Sequence, residues 1–424
     1  MLRSSAKFAL PSRRQSGAFP KIASPRTSFP SIERVLGLPR GHVQPGQTLD
    51  LNRIQLTDLL SANDGSETEA ELFDLAETIV NRVYGNKVYL RGIVEFSNVC
   101  EKNCNYCGIR REMPKQALPR YTMPDNEIVE CALWAQKQRL GTVMLQSGEV
   151  SHPSRINWLI DVITQIRSRS IEADTVHKKG VAVALSVGEQ SYDVYRRLFE
   201  AGGRRFLLRI ESSNPLLYRS LHPADGMHTW EKRMSCLRDL GRVGFQLGTG
   251  VMIGLPQQSN WDLAGDILFF KEIDADMIGM GPYVVQADTP TGKVWTELHG
   301  REDREEYNRR LLALSSRMIA LTRITLGDAN IAATTALQAI HPTGRELCLR
   351  RGANLMMPIL TPTKYREEYQ LYEGKPSIHE AAEETHASLV RRVHVAGKEV
   401  ADDVWGDPPH FTRKQAARAD NLQT

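Results

Sequence analysis

The sequence of 424 residues predicts a (β/α)8 barrel of the TIM type, with helices before it and an extension after it. Two observations support this fold class. From residue 50 onward, eight short apolar and β-branched runs alternate with amphipathic stretches that are long enough to cross back over a parallel sheet. Residue types that are typical of binding sites follow several of these runs, at the strand ends where barrel enzymes place their chemistry.

The predicted elements are short and evenly spaced. Strands are expected over 88–96, 142–147, 181–187, 205–211, 246–253, 276–284, 329–335 and 353–360. Helices are expected between them over 125–140, 154–169, 190–201, 228–243, 259–273 and 302–325. An open, doubly wound sheet is the alternative, because a sequence does not show whether the last strand pairs with the first.

The first 45 residues are predicted to be a removable leader. Residues 1–32 contain six basic residues, four prolines and no acid, which is the composition of an organellar transit peptide rather than of a secretory signal. The destination would be a chloroplast, a mitochondrion or a hydrogenosome, and a disordered basic tail is the alternative. Residues 46–375 should hold the barrel with its preceding helices at 50–86, and 376–424 a C-terminal cap with a frayed polar tail.

Charge argues against a nucleic-acid partner, and hydropathy argues against a membrane protein. Without the six basic residues of the segment 1–32, the remaining 48 basic residues are balanced by 50 acidic ones, so no nucleic-acid partner is expected. The mean hydropathy of -0.36 and the lack of an apolar run near 18 residues argue against a membrane protein.

Three of the six cysteines, Cys100, Cys104 and Cys107, form a C-x3-C-x2-C run directly after the first predicted strand. Zinc usually takes four protein ligands or includes His, whereas a 4Fe-4S cluster with three thiolates leaves one iron free for a small molecule. This spacing, with Tyr106 before the last Cys, resembles the signature of radical S-adenosylmethionine (SAM) enzymes, in which SAM occupies that iron. A zinc knot or chance clustering are the alternatives.

Two further motifs follow predicted strands. Gln146-Ser147-Gly148-Glu149 resembles the Gly-Gly-Glu element that binds the SAM amino group in these enzymes, with Ser147 in place of the first Gly. Arg209 and Glu211 alternate at the end of the fourth strand, so both should face the mouth of the barrel. The alternative for the charged pair is a buried ion pair that only supports the fold.

A closer resemblance covers roughly residues 50 to 375. The chain resembles the HydE family, the radical SAM maturases of FeFe-hydrogenase, in ten blocks: EFSNVCEKNCNYCGIRR (95–111), LQSGE (145–149), LSVGE (185–189), LLRIESSNP (207–215), GLP (254–256), GMGPY (279–283), ATTALQAI (333–340), GRELCLRRGAN (344–354), MMPILTPTKYRE (356–367) and YQLYEGK (369–375). The resemblance implies one 4Fe-4S cluster, SAM, a small organometallic iron substrate, a reductant such as ferredoxin, and other hydrogenase maturation proteins as partners.

The resemblance also implies roles for individual residues. Arg209, Glu211 and Arg233 would position SAM beside Gln146 and Ser147, and the substrate cavity would be lined by Arg91, Thr334, Thr335, Met357, Tyr369 and Tyr372. Two departures stand out. Ile210 replaces a His common in the family, and Ser377, Thr385 and Ser388 stand near the places of three further cysteines, so no second cluster is expected.

The resulting hypothesis is an enzyme that cleaves SAM to a 5'-deoxyadenosyl radical and uses it on a cysteine-ligated iron carbonyl cyanide precursor. A biotin synthase-like sulfur insertion, a methylornithine synthase-like rearrangement, and a non-catalytic scaffold that delivers a metal precursor are the alternatives. SAM turnover separates the scaffold from the enzymes.

Overall fold

Parallel strand pairing organises the computed structural model, which describes residues 26–113 and 118–421. In chain order the strands are β1 (Lys87–Leu90), β2 (Gly92–Ser97), β3 (Thr142–Ser147), β4 (Ala182–Ser186), β5 (Gly203–Leu207), β6 (Gln246–Thr249), β7 (Met252–Ile253), β8 (Met277–Ile278), β9 (Gly281–Pro282), β10 (Asn330–Ile331), β11 (Leu355–Met356) and β12 (Glu399–Val400).

Seven of these strands form one parallel sheet in the order β2-β3-β4-β5-β6-β8-β10. The residues around β11 connect its two edges. Ala333 N donates to Leu355 O at 2.8 Å on one side, and on the other Leu360 N donates to Ile93 O, also at 2.8 Å. These contacts close the sheet into a barrel. The predicted fold class is confirmed, and the open-sheet alternative is wrong.

Helices surround the barrel and cover its ends. They are α1 (Pro30–Leu36), α2 (Arg53–Leu60), α3 (Glu67–Tyr84), α4 (Asp125–Lys137), α5 (Pro153–Ala173), α6 (Tyr192–Glu200), α7 (Pro215–Ser220), α8 (Trp230–Val243), α9 (Asn260–Glu272), α10 (Pro290–His299), α11 (Arg304–Leu326), α12 (Thr335–Ile340), α13 (Gly344–Leu349), α14 (Thr363–Arg366), α15 (Ala382–Val395) and α16 (Pro409–Asn421). Side-chain caps fix several starts. Ser191 and Thr229 accept backbone N–H groups at the first turns of α6 and α8.

The predicted strands coincide with observed ones, but backbone pairing is shorter than the apolar runs. The predicted strand 142–147 matches β3, whereas 88–96 is divided into β1 and β2, and 329–335 contains only the two residues of β10. Ala332 and Ala333 are buried beyond that ladder. An apolar pattern indicates that residues are buried, not that their backbones are paired. In a tilted barrel strand, burial continues past the last hydrogen-bonded pair of residues.

The predicted leader boundary at residue 45 stays a prediction, and residues 1–25 lie outside the described part of the chain, but the residues that precede this boundary are packed. Phe29 and Ile32 are fully buried, and Val43 is 1% exposed. The buried Glu71 carboxylate accepts the backbone N–H groups of Ser31 and Ile32 at 2.9 and 2.8 Å. Residues 29–43 therefore pack on α2 and α3, the helices that precede the barrel, and their order comes from tertiary contacts rather than from local composition.

The C-terminal segment, which was expected to end in a frayed tail, also contacts the barrel. After β12 pairs with β1, Trp405 O accepts from Thr142 Oγ1, and Gly406 O accepts from Asn330 Nδ2, both at 2.8 Å. Asp407 pairs with the buried Arg205 at 2.5 Å. Because these partners lie at strand starts, the segment plugs the amino-terminal end of the barrel and leaves the carboxyl end for ligands. No helix in the described part of the chain has the length and apolarity of a membrane span.

We expect a chain beginning at residue 46 to be less stable than one beginning at residue 26. The longer deletion exposes the apolar surface that Phe29, Ile32 and Val43 cover and leaves the Glu71 carboxylate without its two donors. Burial of one such side chain contributes about 1.5–3 kcal/mol, so the loss should reach about 3 kcal/mol or more. Equal free energies of unfolding in denaturant titrations of the two proteins would contradict this.

Candidate functional site

A cavity of about 350 Å³ opens at the carboxyl end of the barrel. Side chains from the cysteine loop and from most barrel strands line it. It brings together nearly all of the predicted site residues: Cys100, Cys104, Tyr106, Cys107, Gln146, Ser147, Gly148, Glu149, Arg209, Glu211, Arg233, Thr334, Thr335, Met357, Tyr369 and Tyr372. The convergence of the cysteine loop, residues 146–149, Arg209, Glu211, Thr334 and Thr335 agrees with their predicted positions after strands. The family resemblance alone indicated Arg233, Met357, Tyr369 and Tyr372, and the roles assigned to all of these residues stay predictions.

The loop that carries the cysteines leaves β2 and is held by backbone contacts. Gly108 N donates to Leu371 O at 2.9 Å, and a Cβ on this glycine would lie 2.1 Å from the Gln370 carbonyl oxygen. Glu149 N donates to Cys100 Sγ at 3.3 Å. The loop is thus fixed between the end of β3 and the C-terminal extension, with its thiols facing the cavity.

The three thiols form a donor set that fits an iron-sulfur cluster. Burial raises the pKa of Cys104 to about 12, and burial together with the neighbouring Cys104 and Cys100 raises the pKa of Cys107. Such thiols lose their protons when they bind metal. The remaining cysteines lie elsewhere in the fold, so three thiolates are what this cavity offers, which suits a 4Fe-4S cluster with one iron left open to SAM.

A buried ion network joins the cysteine loop to two strand ends and α8. Lys102 Nζ lies 2.8 Å from Glu189 Oε2 and 3.4 Å from Glu149 Oε1, and Arg233 Nε lies 2.6 Å from Glu189 Oε1. The exposed fractions of the Lys102 and Glu189 side chains are 7% and 0%. Although burial opposes it, Arg233 and Lys102 lower the pKa of Glu189, which keeps its carboxylate charged.

This network changes the interpretation of two predicted SAM residues. Glu149 Oε2 accepts Glu189 N at 2.8 Å, and the Arg233 guanidinium also donates to the Arg209 carbonyl oxygen. Both side chains border the cavity, but their polar atoms already hold the protein together. Sequence reasoning missed Lys102 and Glu189. A signal was present, since β3 and β4 are both followed by Gly-Glu, at 148–149 and 188–189.

Gly148 and Ser147 show how the end of β3 fits under the loop. A Cβ on Gly148 would lie 2.3 Å from Val99 O, so only glycine allows this approach. Ser147 Oγ donates to Gly148 O at 2.7 Å. The serine that replaces the first glycine of the resembling motif therefore satisfies its hydroxyl locally.

Arg209 and Glu211 face the cavity together, as predicted, but not as consecutive inward positions of a strand. Strand β5 ends at Leu207, and Glu211 has a left-handed φ of 65° that backbone bonds to Gly250 and Met252 maintain. Arg209 lies 3.0 Å from Glu211 Oε2 and is 31% exposed. Burial raises the pKa of Glu211, and Arg209 and Arg233 oppose that rise. A strained, charged residue at a cavity wall is a common feature of ligand sites.

Five of the six predicted substrate residues line the cavity. Thr335 Oγ1 lies 2.9 Å from the Tyr372 hydroxyl, and Gln146 Nε2 donates to the Tyr369 hydroxyl at 3.3 Å. Arg91 is the exception. Its guanidinium contacts Met277 Sδ at 2.7 Å and Gly406 O at 2.9 Å, at the plugged end of the barrel. Its assignment to the cavity is wrong, because an inward-facing strand position does not specify depth along the barrel.

The lining also contains charged residues that the sequence did not single out. Glu95 on β2 pairs with Lys375 at 2.5 Å, and Arg345 on α13 donates to Ala333 O at 3.1 Å. At the positions where relatives were expected to carry further cysteines, Ser377 O and Thr385 Oγ1 accept from the buried Arg366 guanidinium at 2.7 and 3.4 Å.

Comparison with known proteins agrees with this geometry. The family model for the Radical SAM superfamily matches residues 94–270, from β2 into α9. The FeFe hydrogenase maturase subunit HydE of Thermotoga maritima is 41% identical over 357 residues, which cover 84% of this chain and 94% of the relative. The 3-methylornithine synthase of Methanosarcina barkeri is 23% identical over 82% of this chain and 91% of its own length.

A solved structure shows the same fold. The crystal structure of methylornithine synthase (PylB) superposes with a TM-score of 0.67 at 20% identity, covering 84% of this chain and 95% of that one. The match to the Thermotoga maturase covers the same share of this chain at 41% rather than 20% identity. The chain therefore belongs to the HydE family of radical SAM enzymes.

Proposed function

We propose that the protein assembles the two-iron subcluster of FeFe-hydrogenase from a cysteine-ligated iron carbonyl cyanide precursor. It would bind one 4Fe-4S cluster through Cys100, Cys104 and Cys107 and SAM beside Arg209 and Glu211. The observation that carries this proposal is that the three thiols and the charged pair line one cavity at the carboxyl end of the barrel. The 41% identity to the Thermotoga maturase supports the hydrogenase as the destination.

When bound, a reduced cluster of this type supplies the electron that cleaves SAM to methionine and a 5'-deoxyadenosyl radical. The chain contributes orientation and the exclusion of water. Arg209 can donate to the SAM carboxylate and Glu211 can accept from its donor groups, in both cases through charge-assisted hydrogen bonds. Tyr369, Tyr372 and Met357 give the cavity apolar walls.

The cellular setting follows from the same proposal. A reductant such as ferredoxin would deliver the electron, and other hydrogenase maturation proteins would supply the precursor and receive the product. Residues 1–25, which are basic and free of acids, would direct import into a chloroplast, mitochondrion or hydrogenosome.

The proposal is tested by anaerobic reconstitution with iron and sulfide, reduction, and measurement of 5'-deoxyadenosine formed from SAM. We expect turnover that increases when the iron carbonyl cyanide precursor is added. SAM left intact under all conditions would favour the non-catalytic scaffold. Turnover unaffected by the precursor but stimulated by an amino-acid substrate without iron would favour a rearrangement like that of methylornithine synthase.

The cysteine assignment predicts about four irons per chain after reconstitution. Replacement of Cys100, Cys104 and Cys107 together by Ser should abolish the 4Fe-4S absorption and EPR signals. The matched controls are Cys131→Ala, Cys236→Ala and Cys348→Ala, which remove thiols near the carbonyl oxygens of Leu360 and Gln190 and near Ser316. Loss of iron in a control, or about eight irons in the wild type, would contradict a single three-thiol site.

Glu211→Gln keeps the shape of the side chain but removes its charge. We expect SAM affinity to fall about tenfold to a hundredfold, since a charge-assisted hydrogen bond contributes about 1.5–3 kcal/mol. Stability should change little, because the partner Arg209 is 31% exposed and remains solvated. Isothermal titration with SAM and thermal unfolding are measured on the same cluster-loaded protein. Unchanged SAM affinity with a collapse of the melting temperature would show that the pair serves only the fold.

A further inference from the structure

Two charged side chains in the cavity have polar atoms without a partner. Glu95 and Arg345 are each 3% exposed and both line the cavity. Among residues 26–113 and 118–421, two buried polar atoms of this cavity, Glu95 Oε2 and Arg345 Nη2, have no hydrogen-bond partner. Buried polar atoms of charged groups are costly to leave unpaired, so this arrangement points to a ligand that completes them.

The two groups differ in what they can bind. Glu95 Oε1 is already 2.5 Å from Lys375 Nζ, and that lysine also donates to Tyr369 O at 2.9 Å. The second oxygen of the carboxylate remains as an acceptor for an N–H donor. Arg345 makes no ion pair within the described residues, and its Nε donates to Ala333 O at 3.1 Å. A buried guanidinium without a counter-ion is a site for a carboxylate.

The two sites belong to one region of the cavity wall. Lys375, which pairs with Glu95, donates to Tyr369 O at 2.9 Å, and Arg345 donates to Ala333 O at 3.1 Å. The Tyr372 hydroxyl is 2.9 Å from Thr335 Oγ1, which connects the extension carrying Lys375 to the start of α12. A carboxylate acceptor and a cation in one stretch of cavity wall suit the opposite charges of a zwitterion.

We propose that Glu95 accepts the α-ammonium group, and Arg345 binds the α-carboxylate, of an amino acid carried by the substrate. This inference rests on the proposed function, because it assigns the residues that would bind the amino-acid part of the proposed precursor in the same cavity. The pair would bind the amino-acid end of an iron-bound ligand and leave the metal end free to face the cysteine loop. Glu95 and Arg345 are thus specificity-determining residues, separate from the Arg209–Glu211 pair.

The test uses S-methyl-L-cysteine as the probe on the full-length, cluster-loaded protein with saturating SAM, which fills the other amino-acid site. Two analogues remove one charge each: 2-(methylthio)ethylamine lacks the carboxylate and 3-(methylthio)propanoate lacks the amine. Isothermal titration of the wild type should show that the amino acid binds about tenfold or more tightly than either analogue. This comparison needs no variant, so it decides the question even if substitutions in the cavity disturb folding.

Variants then assign each charge to a residue. Arg345→Gln should remove the preference for the amino acid over the amine, and Glu95→Gln should remove the preference over the carboxylic acid. Arg351→Gln is the matched control, because Arg351 stacks on Phe73 outside the cavity and should keep both preferences. Equal affinity for the three compounds would overturn the proposal, as would binding of acetate as tight as that of the amino acid.

The outcome is distinguishable from failure of the proposed function, since SAM cleavage is measured on the same preparations. Normal 5'-deoxyadenosine formation without selective amino-acid binding would overturn this inference and leave the function standing. Selective binding in a protein that leaves SAM intact would support the site and contradict the maturase activity.

Discussion

A buried lysine between two glutamates holds the cysteine loop against the barrel, and the rest of the site depends on that contact. Lys102 lies between Cys100 and Cys104 in sequence and meets the carboxylates that follow β3 and β4. Arg233 of α8 completes the network from the other side. Removal of one member of such a buried set typically costs about 3–5 kcal/mol, because the remaining charges stay buried without compensation. The network therefore holds the loop that carries the thiols against the ends of β3 and β4.

The two ends of the barrel serve different purposes. At the amino-terminal end, the chain after β12 inserts Trp405 and Gly406 against strand starts, and Arg205 pairs with Asp407. These contacts close the amino-terminal end of the barrel with hydrogen-bonded backbone. Every candidate cofactor residue consequently faces the opposite end, where the cysteine loop, the Arg209–Glu211 pair and the C-terminal extension enclose one cavity. Closure at one end and access at the other follow from the direction of parallel strands.

Much of this could be predicted from the sequence, because it depends on local pattern. The alternation of apolar runs predicts the barrel, and the position of Cys100 after the first run predicts its end of the barrel. The depth of a side chain along the barrel axis and the identity of its hydrogen-bond partners could not be predicted. Arg91 faces inward like a cavity residue, but it lies at the plugged end, since a period of two specifies a face and not a layer.

The roles of Glu149 and α1 could not be predicted from the sequence for a related reason. The Glu149 carboxylate turns to the backbone of Glu189, a contact between separate strand ends that no local motif encodes. Helix α1 begins within a basic, proline-containing stretch, yet the distant Glu71 carboxylate accepts its first N–H groups. In both cases a buried carboxylate selects its partner through tertiary proximity, and sequence patterns do not report that proximity.

The central claim is that the ion network, together with the three thiols, builds the cluster and SAM site. The most direct measurement compares Lys102→Met with Lys232→Met, because Lys232 approaches the same Glu189 at 3.8 Å but is 51% exposed. Iron content and the EPR signal of the reduced protein, with and without SAM, are recorded for both. The account predicts that Lys102→Met loses iron and the SAM-dependent change in the signal, while Lys232→Met matches the wild type. Full iron content and an unchanged response to SAM in Lys102→Met would contradict it.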